Sequence, residues 1–334
     1  MDTPLGPGAE FDLIRAFLHS RGEAGRWLPP NVLVGPGDDC AVLRTAALAV
    51  SVDMSVEGVH FRREWLEPEE IGYRAAAAAL SDLAAMAALP AGVLVAAAVP
   101  TRDAGDFMVR VMAGAREAAE RAGTGILGGD LTRTDGPLVL DVLVLGDCPS
   151  PVTRRGAVPG DALWVTGELG AAAAAVSAWQ RGRTPALAAR TAFARPSPRL
   201  AEARWLAERG VLHALIDLSD GLAGDAGHLA AASGVRIMLE TDSIPVHSAV
   251  LSASERPDDR LRLALAGGDD YELCFASPPG VVEPLRDEFV AQFGTGLTRV
   301  GSVSAGSGVS LRAADGSERE LEFAGFDHFG PPQP

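Results

Sequence analysis

Short apolar runs alternate along this chain with longer stretches whose apolar residues recur at helical spacing. Residues 10–20 bring Phe11, Ile14, Phe17 and Leu18 to one side and predict an amphipathic helix. Residues 47–52 predict a strand ending at Asp53. Pro68-Glu69-Glu70 reads as a helix start, with Pro and acids in the first turn, and that helix runs to residue 88. A strand at 92–99, a helix at 102–122, a short strand at 124–127 and a strand at 138–145 follow. Composition changes at Pro149-Ser150-Pro151, which sets the expected boundary between domains 1–150 and 151–334. Beyond it come a strand at 162–166, an Ala-rich helix at 168–180, a rigid connector at 195–199 and a helix at 199–209. Strands are expected at 214–218, 235–240, 271–276, 297–303 and 309–313, with helices opening after Gly221 and near 282–293. The alternation predicts α/β or α+β architecture in both halves.

Composition narrows the chemistry. An apolar fraction of 47% is that of a globular protein. A net charge of −15 leaves no basic surplus for nucleic acid, though divalent ions standing between allow an acidic protein to bind a polyphosphate. The apolar stretch 84–99 is broken by Pro90 and Gly92, so helix-turn-strand is expected rather than a membrane span. The start, MDTPLGPGAEFDL, lacks a basic end and apolar centre, so no signal peptide is expected. Cys40, Cys148 and Cys274 lack CxxC spacing and read as reduced core thiols, consistent with the cytoplasm. All 29 basic residues are Arg. Without lysine there is no Walker A loop, no kinase strand Lys and no pyridoxal Schiff base. Phosphate chemistry here has to rely on metals, Arg and backbone N–H groups.

The recurrent feature is acids at the ends of apolar segments: Gly37-Asp38-Asp39, Ser51-Val52-Asp53, Ser81-Asp82, Gly128-Gly129-Asp130, Asp217-Leu218-Ser219-Asp220-Gly221 and Gly267-Gly268-Asp269-Asp270. A single pair of this kind is ordinarily a solvated turn, and Ser219 or Asp220 is an ordinary helix cap. Ser81-Asp82 inside an Ala-rich helix either faces solvent or is paired or metal-bound. Capping accounts for neither Asp217 nor Asp225, and the repetition favours hard cations held by oxygen ligands. Gly123-Thr124-Gly125-Ile126-Leu127-Gly128 matches GxGxxG but follows a helix and opens none, so it is not a dinucleotide fingerprint. Leu138 to Asp141 resembles a Walker B strand without a P-loop partner.

Taken in order, these motifs resemble the thiamine-monophosphate kinase family, together with Glu57-Gly58-Val59-His60-Phe61, Leu80-Ser81-Asp82-Leu83-Ala84-Ala85-Met86, Gly267-Gly268-Asp269-Asp270-Tyr271-Glu272-Leu273 and Gly325-Phe326-Asp327-His328-Phe329. The wider superfamily includes aminoimidazole ribonucleotide synthetase, selenophosphate synthetase and the hydrogenase maturation ATPase. The selenophosphate branch lacks its N-terminal catalytic Cys or selenocysteine here, and the tail 329–334 lacks the terminal Cys of the hydrogenase branch. Another synthetase of this superfamily, or a non-catalytic nucleotide-binding protein on the same fold, are the alternative readings; intact aspartates speak against the latter.

The resemblance implies a two-domain aminoimidazole ribonucleotide synthetase-like fold, α/β plus α+β, in a homodimer whose N-terminal sheets pair. It implies direct transfer of the γ-phosphoryl of ATP to thiamine monophosphate, with no general base and no phosphoenzyme. By resemblance, Asp38, Ser51, Val52, Asp53, Asp82, Asp130, Asp217 and Asp220 hold several Mg²⁺ ions. Gly129, Asp130, Arg154 and Ser219 contact the nucleotide, and His60, Asp269 and Phe326 line the thiamine pocket. Taken alone, His60, Phe326 and the Arg154-Arg155 pair read as structural or solvated residues. Three positions depart from the family: Val52 replaces Thr and leaves only a backbone carbonyl for metal, Asp269 replaces Glu and is shorter by one methylene, and Phe326 replaces Trp or Tyr.

Overall fold

The computed structural model describes residues 32–34, 41–43, 47–254 and 256–321. The expected helix at 10–20, Asp38, Cys40 and Phe326 lie outside the described residues. Two sheets carry the structure, one formed by the chain before residue 148 and one by the chain after residue 161.

The first sheet comprises β1 (Val32–Val34), β2 (Ala41–Leu43), β3 (Leu48–Val56), β4 (Leu89–Pro100), β5 (Ile126–Thr134) and β6 (Val139–Asp147), in the order β1-β2-β3-β6-β4-β5. Its pairings are antiparallel except β4 with β5, which run parallel. Parallel neighbours need a long crossover. Helix α2 (Asp106–Arg121) supplies it. Helix α1 (Pro68–Ala85) precedes β4. Its start is set as the sequence indicates: Pro68 occupies the first turn, and Glu67 and Glu70 form a reciprocal capping box.

Helix α1 is buried on nearly every side. It packs on β3, β4 and β6, against α2, and against elements of the second half. A helix of this kind has no wet face, so it needs small side chains rather than an amphipathic stripe. The run Ala75 to Ala79 provides them.

The second sheet runs β13-β12-β9-β11-β7-β10-β8, built from β7 (Ala162–Thr166), β8 (Ala214–Asp217), β9 (Arg236–Glu240), β10 (Leu273–Ser277), β11 (Leu297–Ser304), β12 (Gly308–Arg312) and β13 (Glu318–Glu320). Only its β12–β9 pairing is parallel among the described strands. Helices α3 (Ala171–Gln180), α4 (Leu187–Ala194), α5 (Leu200–Glu208), α6 (Leu222–Ser233), α7 (Ser248–Ala253), α8 (Pro257–Ala266) and α9 (Arg286–Phe293) complete it. The mixed sheets and helices give the expected α/β and α+β architecture. Cys148 and Cys274 are buried free thiols, and burial pushes the Cys148 thiol up to about 11. No helix among the described residues is long and apolar enough to cross a membrane.

Several boundaries differ from the sequence expectation. Strand β3 does not stop at Asp53 but continues to Val56, paired throughout with β6. Strand β5 does not stop before Gly128-Gly129-Asp130 but runs through them to Thr134, hydrogen-bonded to β4. Gly and Asp are poor strand formers, and here the ladder overrides propensity. The helices α4, α7 and α8 were absent from the expectation; they are short, and short helices carry little periodic signal.

Helices α1 and α2 touch backbone to backbone. A Cβ on Gly72 would lie 1.8 Å from the Val111 carbonyl oxygen, and one on Gly114 would lie 1.7 Å from that of Glu69. Replacing a helical Gly by Ala ordinarily gains about 1 kcal/mol. Here the clash is with main chain, so Gly72→Ala and Gly114→Ala are each expected to destabilise by about 2 kcal/mol or more. Thermal melts of the two variants check this.

Candidate active site

One turn of α1 joins the two halves. Ser51 Oγ on β3 donates to Asp82 Oδ2 at 2.5 Å, and Ser81 Oγ donates to Asp217 Oδ2 at 2.5 Å. Consecutive helical residues point about 100° apart. Ser81 therefore reaches β8 while Asp82 reaches β3. Ser81 is fully buried, so its hydroxyl proton is committed to a carboxylate that itself is almost wholly enclosed.

A second group of charges surrounds Asp53. Arg74, buried on α1, forms a 2.6 Å ion pair with Asp269 Oδ1, which also accepts the Tyr271 hydroxyl at 3.0 Å. Burial pushes the Asp53 carboxyl up to about 6; Arg74 pulls the other way, while Asp269 and Asp141 add to the rise. His60 sits in the turn after β3, where its Nδ1 accepts the Val56 N–H at 3.0 Å. The neutral ring then carries its proton on Nε2. Glu57, in the same motif, accepts from Arg63 and from the Leu138 N–H, pinning the turn to β6.

The third group opens α6. Gly221 is the helix cap and no side chain caps it, so Ser219 and Asp220 are not capping residues here. Asp220, Asp225 and His228 each offer a ligand atom, all within 4.8 Å of one another. Burial, then the charges of Asp220 and Asp217, hold the Asp225 carboxyl well above the usual carboxylate range. Burial, then Arg154, pushes His228 down to about 3, which keeps its imidazole neutral. An Asp225 carboxyl raised by burial and by the neighbouring carboxylates suits a divalent cation, which would relieve that repulsion.

The loop before β10 is zipped onto the Asp-Leu-Ser-Asp-Gly turn. Asp269 N donates to Ser219 O at 2.9 Å, Tyr271 N to Leu218 O at 2.8 Å and Leu218 N to Glu272 O at 2.8 Å. A Cβ on Gly268 would meet Ser219 O at 2.5 Å, so only glycine permits the approach. The acids of this loop divide their work. Asp269 takes Arg74, Asp270 accepts the Gly170 N–H ahead of α3, and Glu272 takes Arg199 and Thr166.

The structure thus brings together Ser51 with Asp82, Asp217 with the same helical turn, Asp220 with Asp217 around Asp225, and Asp53 with Asp269. It places Ser219 at the loop junction and Arg154 where its charge reaches Asp225 and His228. Val52 points away from this side of the sheet and is 55% exposed. Asp130 is exposed on β5, in the row Met54–Asp141–Ala96–Asp130, whereas Asp53 belongs to the next row. Gly129 precedes it, and a Cβ there would lie 1.8 Å from the Val95 carbonyl oxygen. Sequence reasoning missed Arg74, His228 and the separate task of Ser81, and took Asp225 only as one of the acids around the helix start that favour a cation. Three positions, close to one helical turn, separate Asp225 from His228, and that spacing was the available signal.

The raised Asp53 carboxyl has a definite sign. Between the unfolded value near 3.8 and the folded value of about 6, the folded protein binds more protons, so stability falls as pH rises through that window. In metal-free protein, Asp53→Asn is expected to melt higher than wild type at pH 7.5, with the gain fading below pH 4. Melting curves against pH in chelator check this; an unchanged difference across that range refutes it.

The matches to known proteins agree with this geometry. Residues 37–148 match the family model "AIR synthase related protein, N-terminal domain" and residues 158–313 match "AIR synthase related protein, C-terminal domain". Thiamine-monophosphate kinase of Escherichia coli (strain K12) is 35% identical over 333 residues, spanning 97% of this chain and 99% of the relative. The crystal structure of thiamine-monophosphate kinase from Stenotrophomonas maltophilia K279a has a TM-score of 0.74 at 35% identity, covering 93% of this chain and 97% of that one. The structure of AaThiL complexed with AMPPCP and TMP has a TM-score of 0.81 at 28% identity, covering 96% of this chain and 97% of that one. The chain belongs to the thiamine-monophosphate kinase family, built from the two AIR synthase-related domains.

Proposed function

We propose that this protein phosphorylates thiamine monophosphate with ATP, giving thiamine diphosphate and ADP. An oxygen of the acceptor phosphate forms a bond to the γ-phosphorus as the bond to the β,γ-bridging oxygen breaks, and the electron pair leaves on ADP. The observation that carries the reading is the convergence of Ser51, Asp82, Ser81 and Asp217 from both halves on one turn of α1. It provides an anionic oxygen-rich centre in a lysine-free chain. Mg²⁺ supplies the neutralisation that two reacting anions require. Asp38, Ser51, the Val52 carbonyl, Asp53, Asp82, Asp130, Asp217 and Asp220 are the proposed ligands. Gly129, Asp130, Arg154 and Ser219 contact the nucleotide; His60, Asp269 and Phe326 line the acceptor pocket. No general base is needed, because the acceptor is already an anion. The protein is read as cytoplasmic, with residues 1–150 as the ATP/Mg-binding and dimerisation domain and 151–334 as the α+β domain.

The same reading includes a homodimer. Strand β5 is exposed along almost its whole length, with Leu127 63% and Leu131 64% exposed, and Val52 and Met54 expose the outer face of β3. Asp130 stands three strands from Asp53, about 14 Å along the sheet at ordinary strand spacing. One ion does not span that gap within a single copy. Asp130 shares the exposed face of Val52 and Met54, so a second copy seated on that face meets Asp130 directly.

Incubation with ATP, Mg²⁺ and thiamine monophosphate is expected to yield thiamine diphosphate and ADP in equal amounts, with Asp82→Asn slower by about 10²-fold or more. ADP release without diphosphate would move the protein to another reaction. Co-expressed Asp53→Asn and Asp130→Asn subunits, each inactive alone, are expected to recover about a quarter of wild-type activity if sites are completed across a two-fold dimer. No recovery would place both residues in one subunit's site.

A further inference from the structure

Arg74 is buried between the two halves, and its side chain has more partners than packing requires. Nη2 meets Asp269 Oδ1 at 2.6 Å, Nη1 donates to the Phe193 carbonyl at 2.8 Å, and the guanidinium lies 3.9 Å over the Phe193 ring. The Tyr271 hydroxyl donates to the same Asp269 oxygen at 3.0 Å. Both donors on one oxygen fix the plane and direction of the carboxylate. The backbone reinforces this: Asp269 and Tyr271 have φ of +71° and +51°, a conformation that non-glycine residues hold only when their surroundings impose it. Arg74 also acts on Asp53, so one buried cation faces both the metal-side carboxylate and the loop carboxylate. Stability alone is a weak reason for this arrangement, because buried ion pairs are often replaceable by apolar groups of similar size.

We propose that Arg74 is a positioning residue for the acceptor. By occupying Asp269 Oδ1 together with Tyr271, it turns Oδ2 toward the acceptor heterocycle and compensates for the short reach of Asp at this position. The inference rests on the proposed placement of Asp269 in the acceptor pocket. It assigns to α1, alongside its Asp82, a second task in substrate recognition.

The test is steady-state kinetics with each substrate varied separately, on Arg74→Met, Arg74→Lys, Tyr271→Phe, Asp269→Asn and the Arg74→Met/Asp269→Asn double variant, with melting temperatures recorded alongside. Arg74→Met is expected to raise KM for thiamine monophosphate by about 10-fold or more and to leave KM for ATP within about twofold. Arg74→Lys recovers part of the loss. Tyr271→Phe, which keeps the ring and both charges, raises the acceptor KM by about threefold and serves where Arg74→Met does not fold. In the Asp269→Asn background, Arg74→Met adds little, because the two residues act as one unit. Equal changes in both KM values, full additivity, or a lowered melting temperature with unchanged kinetics would each overturn the proposal. An Asp269→Asn enzyme with unchanged acceptor KM would instead refute the placement of Asp269, and the inference with it. A raised KM in Asp269→Asn without one in Arg74→Met or Tyr271→Phe would refute the inference alone.

Discussion

The hydrogen bond from Ser81 to Asp217 is the contact on which the rest of the arrangement depends. It ties a buried helix of the first half to the last residue of a buried strand in the second. Asp82, one residue on, is held by Ser51 from the first sheet. The distance between the Asp82 and Asp217 carboxylates is therefore set by a rigid helical turn rather than by loops. That is possible because α1 is thin: alanines on its faces and glycine contacts with α2 let main chains approach where larger side chains would hold them apart.

The same arrangement concentrates negative charge. Asp53 and Asp225 are both pushed up, first by burial and then by carboxylate neighbours, with Arg74 and Arg154 opposing in part. A fold selected for stability alone would disperse these groups. Their concentration is a reason to place the chemistry here, since ligands that bind the folded state alone recover the cost of assembling the site.

What was legible in the sequence follows from what short-range pattern encodes. The strand at 162–166, the start of α1 and the helix-turn-strand at 84–99 were readable because capping, Pro placement and apolar runs are local. The carboxylates themselves were readable as repeated motifs. Strand ends at Asp53 and Asp130 were misplaced because the ladder partners that carry β3 and β5 through them are distant in sequence. Arg74 was passed over for a related reason: Asp269, its partner, is nearly two hundred residues away and belongs to the other sheet's loop. No local signal distinguishes a helical Arg that faces solvent from one that crosses a domain seam. Asp225 and His228 were visible at helical spacing, but their meaning depends on Asp217 and Asp220 being folded against them.

Asp269 and Tyr271 hold left-handed backbone conformations that cost about 1–3 kcal/mol each. The loop does not impose them by its own sequence, since neither residue is glycine. They persist because three backbone hydrogen bonds clamp 269–272 to Leu218 and Ser219, while Arg74 holds the Asp269 side chain from the opposite direction. The clamp depends on Asp217 and its neighbours being in place, and Asp217 is held by Ser81. Arg74 and Ser81 lie two turns apart on one helix. The conformation of the loop proposed to face the acceptor is thus set by the helix that also carries Asp82. A displacement of α1 would move Asp82 and the 269–272 loop together, because one rigid element carries the contacts to both.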